Sequence, residues 1–295
     1  MENNTMNRTR IRTIIFKVFV YTFLVGFAIF VLIPFYWMVL TSFKSFEQVR
    51  TEVPPSLFIG FKELRIIENY TSAWLAAPYW EYMLRTVAVA AISTIGTIFT
   101  TIFAAFAFAR LNFKGRDILF LALISTMMIP GEMFVITNYI TVSNLGWYQS
   151  VGQTQLEAML ALTMPFMTSV FYLFFLRQAF KQIPDELYLA AKVDGTSDWK
   201  YLWKIMVPIA SPTIITIIIL NAMGTWSAYI WPKLVAGPYP LVTNGLREAY
   251  QDFFGIVNYS QQMAAALIVT LPLLIVFLFL KKYIMRGVSR SGIKG

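Results

Sequence analysis

The run Ile183-Pro-Asp-Glu-Leu-Tyr-Leu-Ala-Ala-Lys-Val-Asp-Gly195, continuing to Val207-Pro208, is a charged stretch between two long apolar segments. A polar run in that setting is an excursion from a membrane. Pro184 suits the first turn of a helix, where its missing N–H is not needed. Asp185 and Glu186 follow on the side of the helix dipole that favours acids. Gly195, after Asp194, is a helix stop that takes positive φ at little cost. A second short helix fits Asp198–Met206, where Trp199, Leu202, Trp203 and Met206 fall at i, i+3, i+4 and i+7. Two short helices joined by a tight turn form a rigid knob, and a rigid knob can transmit force.

The rest of the chain explains why the knob is there. Of 295 residues 58% are hydrophobic and 13% charged, too apolar for an ordinary soluble domain. Six segments approach the roughly 20 apolar residues needed to cross a bilayer: about Ile14–Leu40, Met83–Ala109, Ile118–Ile140, Ala158–Leu176, Pro212–Trp231 and Met263–Lys281. The expected fold class is an all-α integral membrane protein with six transmembrane helices. Pro34, Pro130, Pro165 and Pro272 interrupt several spans, which bundled membrane helices tolerate. Arg8-Thr-Arg-Ile-Arg12 resembles the start of a secretory signal, but the apolar run behind it is too long and no small-x-small site follows. A retained first membrane helix is the expectation.

The net charge of +9 does not indicate nucleic acid, because the basic residues cluster at segment ends rather than on one face. Seventeen of the 24 Lys and Arg residues fall on the side holding both termini and the opening stretch, which makes that side cytoplasmic by the positive-inside rule. Of the outer connections, Thr41–Tyr82 is too long for a simple turn and is expected to build a small external cap. Thr141–Glu157 and Pro232–Gln262 are the other two.

No cysteine and no histidine occur. Disulfides, Cys/His zinc sites and His- or Cys-dependent catalysis are therefore excluded, and no metal or cofactor is expected. No glycine is followed by lysine, so there is no phosphate-binding loop, and any nucleotide energy must come from another chain. Glu132 in Ile129-Pro-Gly-Glu-Met133 is the one acid expected inside a span, beside a helix break, and must face a partner or a wet cavity. Asn138, Asn221, Thr225 and Ser227 join Trp226 and Tyr229 as candidates for lining a path. Aromatic rings beside hydroxyls and amides suit sugars. Helix–helix contacts and an interfacial aromatic belt are the competing explanation.

Leu189-Ala190-Ala191-x3-Gly195-x9-Ile205-Met206-Val207-Pro208 resembles the Glu-Ala-Ala loop of the membrane subunits of bacterial ATP-binding-cassette importers. Pro34-Phe-Tyr-Trp-Met, Thr41-Ser-Phe-Lys44, Glu68-Asn-Tyr70, Phe108-Ala-Arg110, Met128-Ile-Pro130, Trp226 to Pro232 and the Lys-Gly ending look like the second, shorter maltose-transport permease type and its relatives for other carbohydrates. The resemblance covers nearly the whole chain. It implies a type I ABC importer permease fold: a cytoplasmic N-terminus (1–13), a first helix (14–40), an external region (41–79), a shared transmembrane domain (80–282, coupling loop 183–208) and a cytoplasmic tail (283–295).

The resemblance also implies partners: a second homologous permease, two ATPase subunits and an extracytoplasmic solute-binding protein, with lipid around them. Glu186, Leu187, Leu189, Ala190, Ala191, Asp194 and Gly195 would couple to the ATPase. On that model Ala190, Ala191 and Gly195 are small to allow close backbone approach. Ser291, Gly292, Ile293, Lys294 and Gly295 would reach toward the ATPase interface. The chain departs from the pattern twice. Leu189 stands where Glu is usual, shifting any charge contact to Glu186 or Lys192, and Arg85-Thr86 replaces a usual Asn-Ser pair. The implied function is ATP-driven, binding-protein-dependent import of a sugar or oligosaccharide, with a glycerol-phosphate-type substrate as the family alternative. A self-contained secondary transporter would need coupling-ion ligands and inverted repeats, and only Glu132 offers itself.

Overall fold

Apolar composition and proline placement decide which helices run straight and which break. The structure, a computed structural model, describes the backbone of residues 2–250 and 255–289 and the side chains of 12–250 and 255–281. The expected ATPase-contacting tail, Ser291–Gly295, lies outside the described residues. Among the described residues there is no β-strand.

The helices are α1 (Glu2–Phe43), α2 (Phe46–Thr51), α3 (Ile66–Leu75), α4 (Tyr79–Arg110), α5 (Arg116–Thr126), α6 (Phe134–Asn144), α7 (Gln155–Thr163) and α8 (Val170–Lys181). They are followed by α9 (Asp185–Val193), α10 (Asp198–Tyr201), α11 (Val207–Ile209), α12 (Ser211–Trp226), α13 (Ile230–Val235), α14 (Val242–Glu248) and α15 (Tyr259–Ser289).

Among the described residues three helices are long and apolar enough to span a bilayer unbroken, over Arg12–Phe43, Tyr79–Arg110 and Tyr259–Lys281. Three bent pairs pass the same test together: Arg116–Thr126 with Gly131–Asn144 at 84°, Gln155–Phe166 with Val170–Lys181 at 51°, and Asp198–Ile209 with Ser211–Trp226 at 77°. By length and composition these make three spans, or up to six if each bent pair is one span, and the third pair includes the second helix of the expected knob, Asp198–Met206. Pro130 and Pro165 sit at breaks, whereas Pro34 and Pro272 lie inside uninterrupted helices. A proline removes one hydrogen bond and crowds the preceding turn. Pro130 is followed by Gly131, which offers no helical preference to carry the chain through.

The chain divides into two compact units, Met1–Ala77 with Ala249–Ile268 and Pro78–Glu248 with Val269–Gly295. In the first, α1 leaves its apolar side chains open. Phe19 is 69% and Phe30 70% exposed, a surface tolerable in lipid but not in water. At the end of α1, two sequence fragments meet. The Asn69 amide donates to the carbonyls of Ser42 and Lys44 at 2.8 Å each, and Tyr70 Oη lies 3.1 Å from Ser42 Oγ. Lys44, itself buried, donates to Glu52 at 2.6 Å and to Ser56. The expected external cap is a folded element built on these contacts.

In the second unit, two cores form around α4. One joins Ile102, Ala105 and Phe106 of α4 to Leu173, Leu176 and Phe180 of α8, Ala191 of α9, and Tyr201, Leu202, Met206, Ile214 and Ile217. The other, at the far end of α4, joins Val89, Val142, Ala161, Leu162, Trp231, Val235 and Leu241. Trp231 is held there by its indole N–H, which donates to the Ala161 carbonyl at 3.0 Å.

Candidate functional site

The knob predicted from Ile183–Pro208 forms, with altered internal geometry. Pro184 caps α9 in an extended conformation, and Asp185 and Glu186 occupy its first turn. At the far end Gly195 takes φ +67°. Its N–H donates to the Lys192 carbonyl at 3.0 Å, and the Thr196 N–H donates to Ala191 at 2.8 Å. This bond pair is a Schellman closure. A Cβ at Gly195 would meet nothing within 4 Å. The glycine is thus required by backbone conformation and not, within this chain, by close approach.

Two faces of α9 differ in kind. Ala191 is buried in the α4–α8 core, and Tyr188 packs on Tyr201 with ring centroids 5.0 Å apart. Glu186, Leu189, Ala190 and Val193 fall at i, i+3, i+4 and i+7, and all are exposed, with Leu187 beside them. Leu189 is 63% and Val193 88% exposed. Asp194 is also exposed. The expected small pair therefore splits, Ala191 facing inward and Ala190 outward.

The back of the knob is braced by charge. Asp198 Oδ1 accepts from the Tyr188 hydroxyl at 2.7 Å and pairs with Lys192 Nζ at 2.7 Å. The Asp198 carboxylate holds the Lys192 ammonium above its usual range, while partial burial raises the Tyr188 phenol. Lys192 is thus paired with Asp198, so of the two residues expected to take over the charge contact it is Glu186 that stands on the open face.

The second short helix differs from expectation. After Ser197 caps α10, Leu202–Met206 form a π-helical turn. Leu202 and Met206 are fully buried, whereas Trp199 is 64% exposed and stacks on Phe103 at 5.8 Å. The four residues expected on one face are split into two i, i+4 pairs because the π turn widens the helix.

At the other end of the unit a cavity of about 520 Å³ opens where the broken helices meet. Five of the seven predicted path residues line it: Glu132, Asn221, Thr225, Ser227 and Tyr229. Trp226 instead lines a separate apolar groove with Ile95, Ile98 and Phe99. Asn138 lines neither cavity. Glu132 sits in the single 3₁₀ turn after Pro130, at the 84° break, and has no ion-pair partner among the described residues. The other polar groups are partly satisfied within the bundle. Asn221 donates to Thr94 Oγ1 at 2.9 Å, Thr225 to the Asn221 carbonyl at 3.1 Å, and Ser227 to Met223 at 2.8 Å. Asn221 thus ties α12 to α4, while Thr225 and Ser227 satisfy their hydroxyls on their own helix.

The sequence reading missed Ser93, which lines the cavity and approaches Thr225 Oγ1 at 3.4 Å. A signal was present: Thr86, Ser93, Thr97 and Thr101 recur at helical spacing along α4, and all are buried. The departure at Arg85-Thr86 also gains a physical account. Thr86 Oγ1 accepts from the Val242 N–H at 3.0 Å, and Arg85 donates to the Pro240 carbonyl at 2.9 Å with its guanidinium 5.3 Å from the Tyr239 ring. Both residues fasten α4 to the segment carrying Leu241, a cavity wall.

Residues 98–290 match the family of binding-protein-dependent transport system inner membrane components. The chain belongs to this family. It is thus an inner-membrane transport component that works with other chains of such a system. Among its relatives is the sn-glycerol-3-phosphate transport system permease protein UgpE of Salmonella typhimurium, 27% identical over 248 residues, covering 81% of this chain and 84% of that protein. Another is the arabinooligosaccharides transport system permease protein AraQ of Bacillus subtilis, 25% identical over 284 residues, covering 95% and 97%. A chain in the crystal structure of a bacterial ABC transporter that imports the acidic polysaccharide alginate shares the fold, with TM-score 0.75 at 20% identity over 91% of this chain and 96% of that one. The fold is that of an ABC importer permease, as the resemblance implied.

Proposed function

We propose that this chain forms half of the translocation pathway of an ATP-driven, binding-protein-dependent importer of a sugar or oligosaccharide. It pairs with a second homologous permease, above two ATPase subunits and below an extracytoplasmic solute-binding protein. It performs no hydrolysis itself. Both termini are cytoplasmic, residues 80–282 act as the transmembrane domain, and Ser291–Gly295 reach the ATPase.

The observation that carries this reading is the open face of α9, where Glu186, Leu189, Ala190 and Val193 stand exposed on a helix braced from behind by Lys192 and Asp198. An exposed apolar stripe on a rigid helix suits insertion into a cleft of a partner. Glu132, Asn221, Thr225, Ser227 and Tyr229, with Asn138 and Trp226 farther off, are the proposed path. Within the cavity an unpaired carboxylate beside hydroxyls and the rings of Tyr172 and Tyr229 suits a neutral polyhydroxyl substrate. A second reading, a glycerol-phosphate-type substrate, is favoured by the relatives named for that compound and by Lys233 and Arg247, which flank the Tyr229 ring at 5.5 and 4.2 Å.

Reconstituting the chain with its genomic neighbours in proteoliposomes and measuring uptake of labelled sugars, oligosaccharides and glycerol 3-phosphate tests the proposal. ATP-dependent uptake of a neutral sugar is expected, and Glu132→Gln should slow it several-fold with assembly intact. Robust uptake by the chain alone would replace the reading with a secondary transporter.

A further inference from the structure

Two arginines lie at the coupling-loop end of the α4–α8 pair, and each caps the other's helix. Arg110 is the last residue of α4, and its side chain is 4% exposed. One terminal nitrogen donates to the Phe180 carbonyl at 2.8 Å and to that of Ile183, in and just beyond the last turn of α8. The other donates to the Asp185 carboxylate, on the first residue of α9. Arg177 in α8, 7% exposed, returns the contact: its Nε donates to the Phe108 carbonyl of α4 at 3.1 Å. Its guanidinium rests 3.7 Å from the centroid of Phe120 in α5.

The last carbonyls of a helix have no partner within it and carry its negative dipole end. A guanidinium satisfies several at once through a planar fork that an ammonium cannot reproduce. The exchange therefore ties three elements together without a flexible link: α4, α8 and the start of the coupling helix. Both α4 and α8 also reach the cavity. Ser93 and Val89 of α4 and Tyr172 of α8 line it, and α4 runs about 25 Å from Ser93 to Arg110 at 1.5 Å per residue.

We propose that Arg110 and Arg177 form a reciprocal clasp that delivers displacement of α9 to the two cavity-lining helices, with Arg110 as the principal positioning residue. The inference rests on the coupling reading above and adds the joint through which that coupling passes. Arg110 touches neither the exposed face of α9 nor the cavity. Its loss should therefore uncouple the machine without disabling either end.

The test uses the complete reconstituted transporter carrying Arg110→Lys, Asp185→Asn, Arg177→Lys, or Arg110→Lys with Asp185→Asn. Substrate transported per ATP hydrolysed is measured, normalised to assembled complex. Arg110→Lys should lower that ratio about tenfold while hydrolysis persists and responds less to the loaded binding protein. Asp185→Asn should lower it several-fold, and the double variant should be no worse than Arg110→Lys, as expected for one shared contact. Should Arg110→Lys fail to assemble, Asp185→Asn and Arg177→Lys carry the same test from the other side. An unchanged ratio in the assembled variants, or uptake and hydrolysis falling in step with assembly alone, would overturn the clasp. Failure of the wild-type complex to show ATP-driven uptake would instead count against the proposed function.

Discussion

Gly195 carries two readings from the sequence, a helix stop that takes positive φ and a small residue that lets a partner approach closely. The Asp-Gly pair marks a helix stop, and the structure places the stop there. Its left-handed backbone, with open space around it within this chain, bears out the positive-φ reading, while close approach is a property of the contact with a partner chain. The two explanations predict different mutational series. If volume mattered, Ala would be the mildest replacement. If backbone conformation matters, Asn should be mildest, because its short polar side chain visits the left-handed region more readily than Ala does. A β-branched residue should be worst. Gly195→Asn is expected to retain ATPase co-purification, Gly195→Ala to weaken it through about 1–2 kcal/mol of strain, and Gly195→Val to abolish it. Quantifying the ATPase recovered with each tagged variant checks the order. An Ala variant that outperforms Asn would favour the close-approach explanation, with the neighbour supplied by a partner chain.

Elements were legible where their signal is local and obscure where it depends on distant partners. The long helices α1, α4 and α15 follow from uninterrupted hydropathy. The bent pairs do not, because some prolines are absorbed, as Pro34 and Pro272 are, and others end a helix, as Pro130 does. The π turn at Leu202–Met206 has no sequence signature of its own, and it moved Trp199 away from the buried face. The folded element after α1 shows the same limit. Thr41-Ser-Phe-Lys44 and Glu68-Asn-Tyr70 could be quoted from the sequence, but not that Asn69 bridges them. Its ion pair makes a pH prediction. Contact with Lys44 and Ser56 lowers the Glu52 carboxyl from 4.5 to about 2. A depressed carboxylate stabilises the fold above its unfolded value and loses that contribution as pH falls through the folded value. The stability gap between wild type and Glu52→Gln should therefore be constant from pH 8 to about pH 5 and close progressively between about pH 4.5 and pH 2. Thermal unfolding of the detergent-solubilised protein across that range measures it. A gap that opens on acidification would reverse the assignment.

At the scale of the whole molecule, family and fold were legible because both rest on long-range regularities of the chain: apolar segments, charge asymmetry and one loop of fixed spacing. Sidedness is a separate matter, since it is a property of the chain in a bilayer. By the positive-inside rule, the distribution of Lys and Arg predicts a cytoplasmic loop at 183–208 and an external segment after α1. The absence of cysteine makes this directly testable, because a single introduced thiol is the only one in the chain. Phe61 is 94% and Val193 88% exposed, so the fold itself would shield neither position from a reagent. In intact cells a membrane-impermeant maleimide should label Phe61→Cys and spare Val193→Cys, and permeabilisation should make the second reactive when the chain is expressed alone. Val193 also lies on the open face of α9, so co-assembly with the ATPase should protect it again, while a thiol at Phe61 remains reactive. Reversed labelling in intact cells would invert the topology. Full reactivity of Val193→Cys in the assembled complex would leave the topology standing and remove the open face of α9 from the ATPase interface.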